Sequence, residues 1–299
     1  MPPTRARPGA ALRALDLTAV ILDLGLTIDG ASAAGSSGPV VFASSSEYDV
    51  ALKWHRRLEA ASAEARVLRQ LGARLLSPPG AQYGNVLVLN RVRPGSSMRD
   101  SWTLHSRTPA PIDADLEYAG LVVAAIAKIP ATDLTTPVES LLHGDVALAL
   151  GSVASGGDLA LPPGLVNSVV ADLFSLEPLL GPPSLCHGDF HPGNLLSDGE
   201  AWLVIDPREV YGDPCADVGR MAASAALWAR WDIADALEIL CAAAGQDPQR
   251  SLVWTRAWLL QVFGYHWGRH ATVGLEAQRC VDLLTKSLHN ARRTTVVLG

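Results

Sequence analysis

Apolar positions change period along the chain. In Tyr48-Asp-Val-Ala-Leu-Lys53-Trp54 they alternate around Val50 and Leu52, which predicts a strand with Lys53 pointing the opposite way. Leu58, Ala61, Ala65, Leu68 and Leu71 then recur near a 3.6 period, which predicts a helix over 57–71. Short apolar runs predict further strands at 24–29, 40–43 and 86–90. Pro94 and Gly95 break the pattern, so a boundary is expected near 92–95, giving domains 1–93 and 94–299. Beyond it, helical patterns run over 116–129, 165–176, 218–239 and 252–270. Ser197, Asp198, Gly199 and Glu200 read as the turn of a hairpin whose return strand is Ala201–Ile205, ended by Pro207.

The 299-residue chain is long enough for one large domain or two lobes, and 48% hydrophobic content supports a sizeable core. A net charge of −6 gives no support to a nucleic-acid partner. No apolar run approaches the roughly 18 residues a membrane span needs. Arg5, Arg7 and Arg13 before the run Leu17–Leu26, with Ala31-Ser-Ala33 after it, imitate a secretory leader. Asp23 interrupts that run, and Asp16 and Asp29 flank it. Cys186, Cys215, Cys241 and Cys280 form no C-x-x-C pair. A cytoplasmic location with reduced thiols is therefore expected. Oligomeric state leaves no mark on the sequence.

The candidate chemistry lies in Cys186–Asp217. His187-Gly-Asp189 is followed by Asn194, five residues after Asp189, and Trp202–Ile205 delivers Asp206. This spacing suits phosphoryl transfer, in which positioning and charge neutralisation carry most of the catalysis. Asp189 would accept the proton of an acceptor hydroxyl, while Asn194 and Asp206 would hold magnesium on nucleotide phosphates. Leu142–Asp145 repeats Leu-His-Gly-Asp, but Leu150 stands where Asn would be needed, so it reads as an ordinary loop or helix end. Lys53 sits where a lysine would contact the phosphates. Glu64, eleven residues on, is preferred over Glu59 as the glutamate that steadies it. The small-residue loop Gly30–Gly38 reads either as a phosphate-approaching loop or as a plain flexible one. The chain has no G-x-G-x-x-G and no Walker sequence.

These motifs resemble the aminoglycoside phosphotransferase family, and Asp206-Pro207 with Gly212-Asp213-Pro214 and Asp217 resembles its streptomycin 6-kinase and hydroxyurea phosphotransferase branch. Gly25–Gly30, Ala51-Leu-Lys53 and Trp258–Gln261 extend the likeness over most of the chain. The resemblance implies an α+β, protein-kinase-like two-lobe fold, with a small β-rich N-lobe and a larger helical C-lobe. It also implies ATP (or GTP) and Mg2+ as cofactors and a small-molecule acceptor. His187 is expected to hold the loop beside Asp189, Asp217 to buttress it, and Arg208 either to reach the phosphates or to be solvated.

One stretch departs from that expectation. A polycationic acceptor calls for carboxylates, yet Pro248–Leu275 contains no Asp or Glu and carries Arg250, Arg256, His266, Arg269 and His270. Hydroxyurea, a sugar or another antibiotic is therefore a rival acceptor. Trp254, Trp258, Gln261 and Tyr265 share one helical face, read as core or as the flat wall of a pocket. A non-catalytic nucleotide-binding module would not need the intact set Asp189, Asn194, Asp206 and Lys53. No Ala-Pro-Glu follows Asp206, which argues against a protein kinase.

Overall fold

The computed structural model describes residues 17–29, 33–34, 39–72, 82–104, 112–131, 134, 136–142, 146–147, 149, 151, 161–176, 183–269 and 275–297. The chain divides into two compact units, one up to Ser96 with Leu195–Arg208, the other Ser97–Asn194 with Glu209 onward.

The first unit is an antiparallel sheet with one long helix. Strands β1 (Thr27–Ile28), β3 (Pro39–Ser44), β4 (Asp49–Trp54), β6 (Val86–Asn90) and β5 (Gln82–Tyr83) pair in that order, and β2 (Ala33–Ala34) pairs with β3. One face of β4 buries Val50, Leu52 and Trp54 with Val86, Val88, Ala43 and Val20. On the other face, Leu87 packs with Ala61 and Ala65 of helix α2 (Leu58–Gln70). Each aliphatic side chain so buried contributes about 1.5–3 kcal/mol. Lys53 pairs in register with Leu87 and so faces α2, as the alternation required.

The expected strand over 24–29 is shorter than the pattern suggested. A helix, α1 (17–23), precedes it and only Thr27–Ile28 pair. Leu17, Val20, Ile21 and Leu24 have helical spacing, and they pack against the sheet core as one face. Most of the small-residue loop, residues 30–32 and 35–38, lies outside the described residues, as do residues 1–16 of the leader-like segment.

The compact units do not follow a single division at 93/94. Hairpin β8 (Leu195–Ser197) and β9 (Trp202–Val204) groups with the first unit, although it lies about a hundred residues downstream of Ser96. Gly95 N–H donates to Ser197 O at 3.0 Å, and Ser197 N–H donates to Ser96 O at 2.9 Å. The predicted turn is closed by Asp198, whose Oδ1 accepts from Ala201 N–H at 2.7 Å.

The second unit is helical around a two-stranded ladder. Strand β7 (Ser184–Cys186) pairs with β10 (Val210–Gly212). Its helices include α3 (Met98–Leu104), α4 (Asp113–Ile126), α5 (Pro163–Phe174), α6 (Cys215–Ser224), α7 (Ile233–Ala244), α8 (Pro248–Arg269) and α9 (Leu275–Val297). Helix α8 packs against α5, α6, α7 and α9. Its Trp254 and Trp258 are buried, with Trp258 Nε1–H donating to Ala216 O at 2.7 Å. Those two tryptophans are therefore core rather than pocket wall. Val138–Leu142 is a 3-10 turn, so the first copy of the His-Gly-Asp motif begins at its end; residues 143–145 lie outside the described residues.

The single helix expected over 218–239 is two. A π turn, Ala225–Ala229, follows α6, Arg230 turns left-handed at φ 59°, and Asp232 Oδ1 accepts from Ala234 N–H to cap α7. The crossing of α6 and α8 depends on Gly219, where an added Cβ would lie 2.7 Å from Thr255 N and 2.7 Å from Trp254 Cβ. Gly219→Ala is expected to destabilise the fold by about 1–3 kcal/mol through overpacking. A thermal midpoint equal to that of the parent would show that the helices separate without cost.

Candidate functional site

Two groups of side chains carry the candidate chemistry, one in each unit. In the first unit Lys53 Nζ donates to Glu64 Oε2 and to Asp206 Oδ1, each at 2.6 Å. Lys53 and Glu64 are nearly inaccessible, which is tolerable for charged groups only because they are paired. Glu59 is exposed, so Glu64 is the helix glutamate that meets the lysine. His55 Nε2 lies 3.0 Å from the same Glu64 oxygen, a neighbour the sequence reading missed. Its signal was available: His55 follows Lys53 by two residues and so shares its strand face.

Asp206 reaches Lys53 from just beyond β9 with its backbone at φ 58°. Aspartate is one of the few residues that visits this left-handed region, and such conformations gather at functional sites. Arg208, two residues on, is exposed.

In the second unit β7 ends at Cys186 and releases the loop His187–Asn194. Helix α6 grips the loop backbone: His187 N–H and Gly188 N–H donate to Asp217 Oδ2 and Oδ1, at 2.6 and 3.0 Å. Burial pushes the Asp217 carboxyl up, opposed by His187 and by these two N–H groups. Buried His187 accepts from Asp189 N–H through Nδ1 at 3.3 Å, a loop-holding contact. His191 Nδ1 accepts from Gly193 N–H at 3.0 Å, and its Nε2 lies 3.7 Å from Asp189 Oδ1. Asn194 Nδ2 donates to Asp189 O at 2.9 Å, which leaves the amide oxygen as the atom able to meet a cation.

Sequence reasoning missed Arg220. Its Nη2 donates to Asp189 Oδ1 at 3.2 Å and its Nη1 to Gln261 Oε1 at 2.7 Å. The guanidinium carbon stands 4.8 Å from the Trp258 ring centroid. Around His191, Trp228 makes an edge contact at 5.7 Å, and Arg99 lies over Trp228 at 4.2 Å.

The basic character of α8 is largely spent internally. Arg250 pairs with Asp213, which also accepts from Trp254 Nε1–H. Arg256 is buried against Asp172 and Ser287, and burial lowers its pKa. All four cysteines are free and buried, and burial pushes the Cys215 and Cys280 thiols up to about 12. No helix among the described residues is long and apolar enough to cross a membrane.

Streptomycin 6-kinase of Streptomyces glaucescens is 28% identical over 254 residues, covering 79% of this chain and 77% of that protein. The structure of a choline/ethanolamine kinase family protein from Mesorhizobium loti superposes with a TM-score of 0.63 at 14% identity, covering 94% of this chain and 95% of that one. The spectinomycin phosphotransferase APH(9)-Ia, solved with ADP and spectinomycin, gives 0.55 at 12% identity, covering 88% and 92%. The fold is thus the α+β fold of small-molecule kinases. Residues 33–254 match the phosphotransferase enzyme family (APH), and with the lysine cluster and the His-Gly-Asp loop both in place, the chain belongs to that family as a small-molecule phosphotransferase.

Proposed function

We propose that the protein is an ATP- and magnesium-dependent O-phosphotransferase acting on a hydroxyl of an aminoglycoside of the streptomycin type, a reaction that would confer resistance. The observation that carries the nucleotide side is the buried Lys53, held by Glu64 and Asp206 in one cluster. The acceptor class rests on the likeness to streptomycin 6-kinase.

Lys53 would hold the nucleotide phosphates, its side chain positioned by its two carboxylates. Asp189 would receive the acceptor proton, with His187 and Asp217 fixing the loop that carries it. Asn194 and Asp206 would hold the metal; an amide oxygen and a carboxylate are the hard ligands magnesium takes, with phosphates and water completing its shell. The bound ion would supply neutralisation of charge on the transferring phosphoryl group. Arg208 is a phosphate contact in this reading.

A second acceptor class retains one observation in its favour: α8 presents no carboxylate. That argument is weaker than the sequence suggests, because Arg250 and Arg256 are paired with Asp213 and Asp172. The test is ATP consumption with streptomycin, other aminoglycosides, hydroxyurea and simple sugars, with the product identified by mass. A phosphorylated streptomycin is expected. Turnover confined to another compound would replace the acceptor and keep the mechanism.

A further inference from the structure

We propose that Arg220 is a positioning residue that sets the direction of the Asp189 carboxylate. The inference rests on Asp189 being the group that receives the acceptor's proton.

Helix α6 touches the His187–Asn194 loop from two positions three residues apart, which place both side chains on one helical face. Asp217 fixes the loop's backbone through two N–H groups. Arg220, the next residue on that face, takes the carboxylate at Oδ1. A backbone anchor alone leaves the Asp189 side chain free to rotate about χ1 and χ2. A proton acceptor must instead point at one hydroxyl, because small misplacements at this step are costly.

Arg220 suits the task because it is itself fixed. Gln261 accepts its second Nη group at 2.7 Å, and its guanidinium lies over the Trp258 ring. Trp258 is anchored in turn by Ala216 O. The side chains of Arg220 and Asp189 are each only 14% exposed, so water screens the pair weakly. Arginine's planar fork can serve Gln261 and Asp189 together, whereas a lysine offers a single nitrogen. His191 Nε2 also lies near the same Oδ1, at 3.7 Å. Gln261 therefore belongs to the same device, one residue removed from the carboxylate.

The test is steady-state kinetics with MgATP and the panel compound that yields product, on Arg220→Ala, Arg220→Lys, Gln261→Leu and Asp189→Asn. Arg220→Ala is expected to lower kcat about 10- to 100-fold with both KM values within about threefold, the mark of an interaction made in the transition state. Arg220→Lys and Gln261→Leu, which keep a cation or the arginine itself, are expected to fall between that variant and the parent. They also report if Arg220→Ala fails to fold. A kcat in all three within twofold of the parent, with Asp189→Asn inactive, would overturn the inference and leave Asp189 in its role. An acceptor KM that rises at constant kcat would make Arg220 a substrate-binding residue and overturn it as well. Parent-like turnover by Asp189→Asn would instead remove the reading on which the inference stands.

Discussion

Asp189→Ala is expected to lower turnover by about 10²–10⁴-fold, the range that a positioned proton acceptor supplies. The loss should be confined to chemistry. The loop stays anchored, because Asp217 holds the His187 and Gly188 N–H groups and not the Asp189 side chain. Arg220 keeps Gln261 and the Trp258 ring. Lys53, Glu64 and Asp206 form their cluster within the other unit, so nucleotide affinity should stay within about threefold of the parent, a change worth under about 0.7 kcal/mol. Turnover measured beside a nucleotide titration separates the two. Equal turnover in variant and parent would take the proton-accepting role away from Asp189.

Asp206→Ala is expected to abolish magnesium-dependent nucleotide binding. The weakening should exceed the roughly 10- to 100-fold that follows loss of a merely supporting partner of a metal ligand. Two effects would combine: the proposed hard oxygen ligand is removed, and Lys53 keeps Glu64 as its only remaining carboxylate from the pair. Alanine is also strained at φ 58°, so Asp206→Asn is the informative companion, since asparagine tolerates that conformation. Calorimetric titration of ATP with and without magnesium tests both. An ATP affinity in magnesium equal to the parent's would dismiss Asp206 as a metal ligand.

The features with a local signal were legible. Alternation around Val50 and Leu52 set Lys53 on the opposite side of the strand, which is the α2 face, and the resemblance to the family's helix, with Glu64 just before Ala65, favoured Glu64 over Glu59. The hairpin turn at 197–200 was legible because Asp198 and Gly199 supply its chemistry. Features set by distant partners were not. The break at Arg230 falls inside a stretch read as one helix over 218–239, and it is marked by the left-handed backbone at Arg230 and the Asp232 cap. Arg220 sits outside any motif and meets Asp189 across 31 residues of sequence. Its one clue was its position three residues after Asp217, on the same helical face. The arginines of α8 counted against a polycationic acceptor because sequence does not show that Asp172 and Asp213 take them.

The grouping of the β8–β9 hairpin with the first sheet bears on how this protein could be cut or recombined. A gene fragment ending at Ser96 would encode the strand bearing Lys53 and the helix bearing Glu64, but would leave out Asp206. A buried ammonium would then face a single carboxylate already shared with His55. Neither unit can be expressed as one uninterrupted stretch of the natural chain. Chimeras that exchange the sheet between relatives must carry residues 195–208 along with it, joined by a new linker, for the lysine to keep both of its counter-ions.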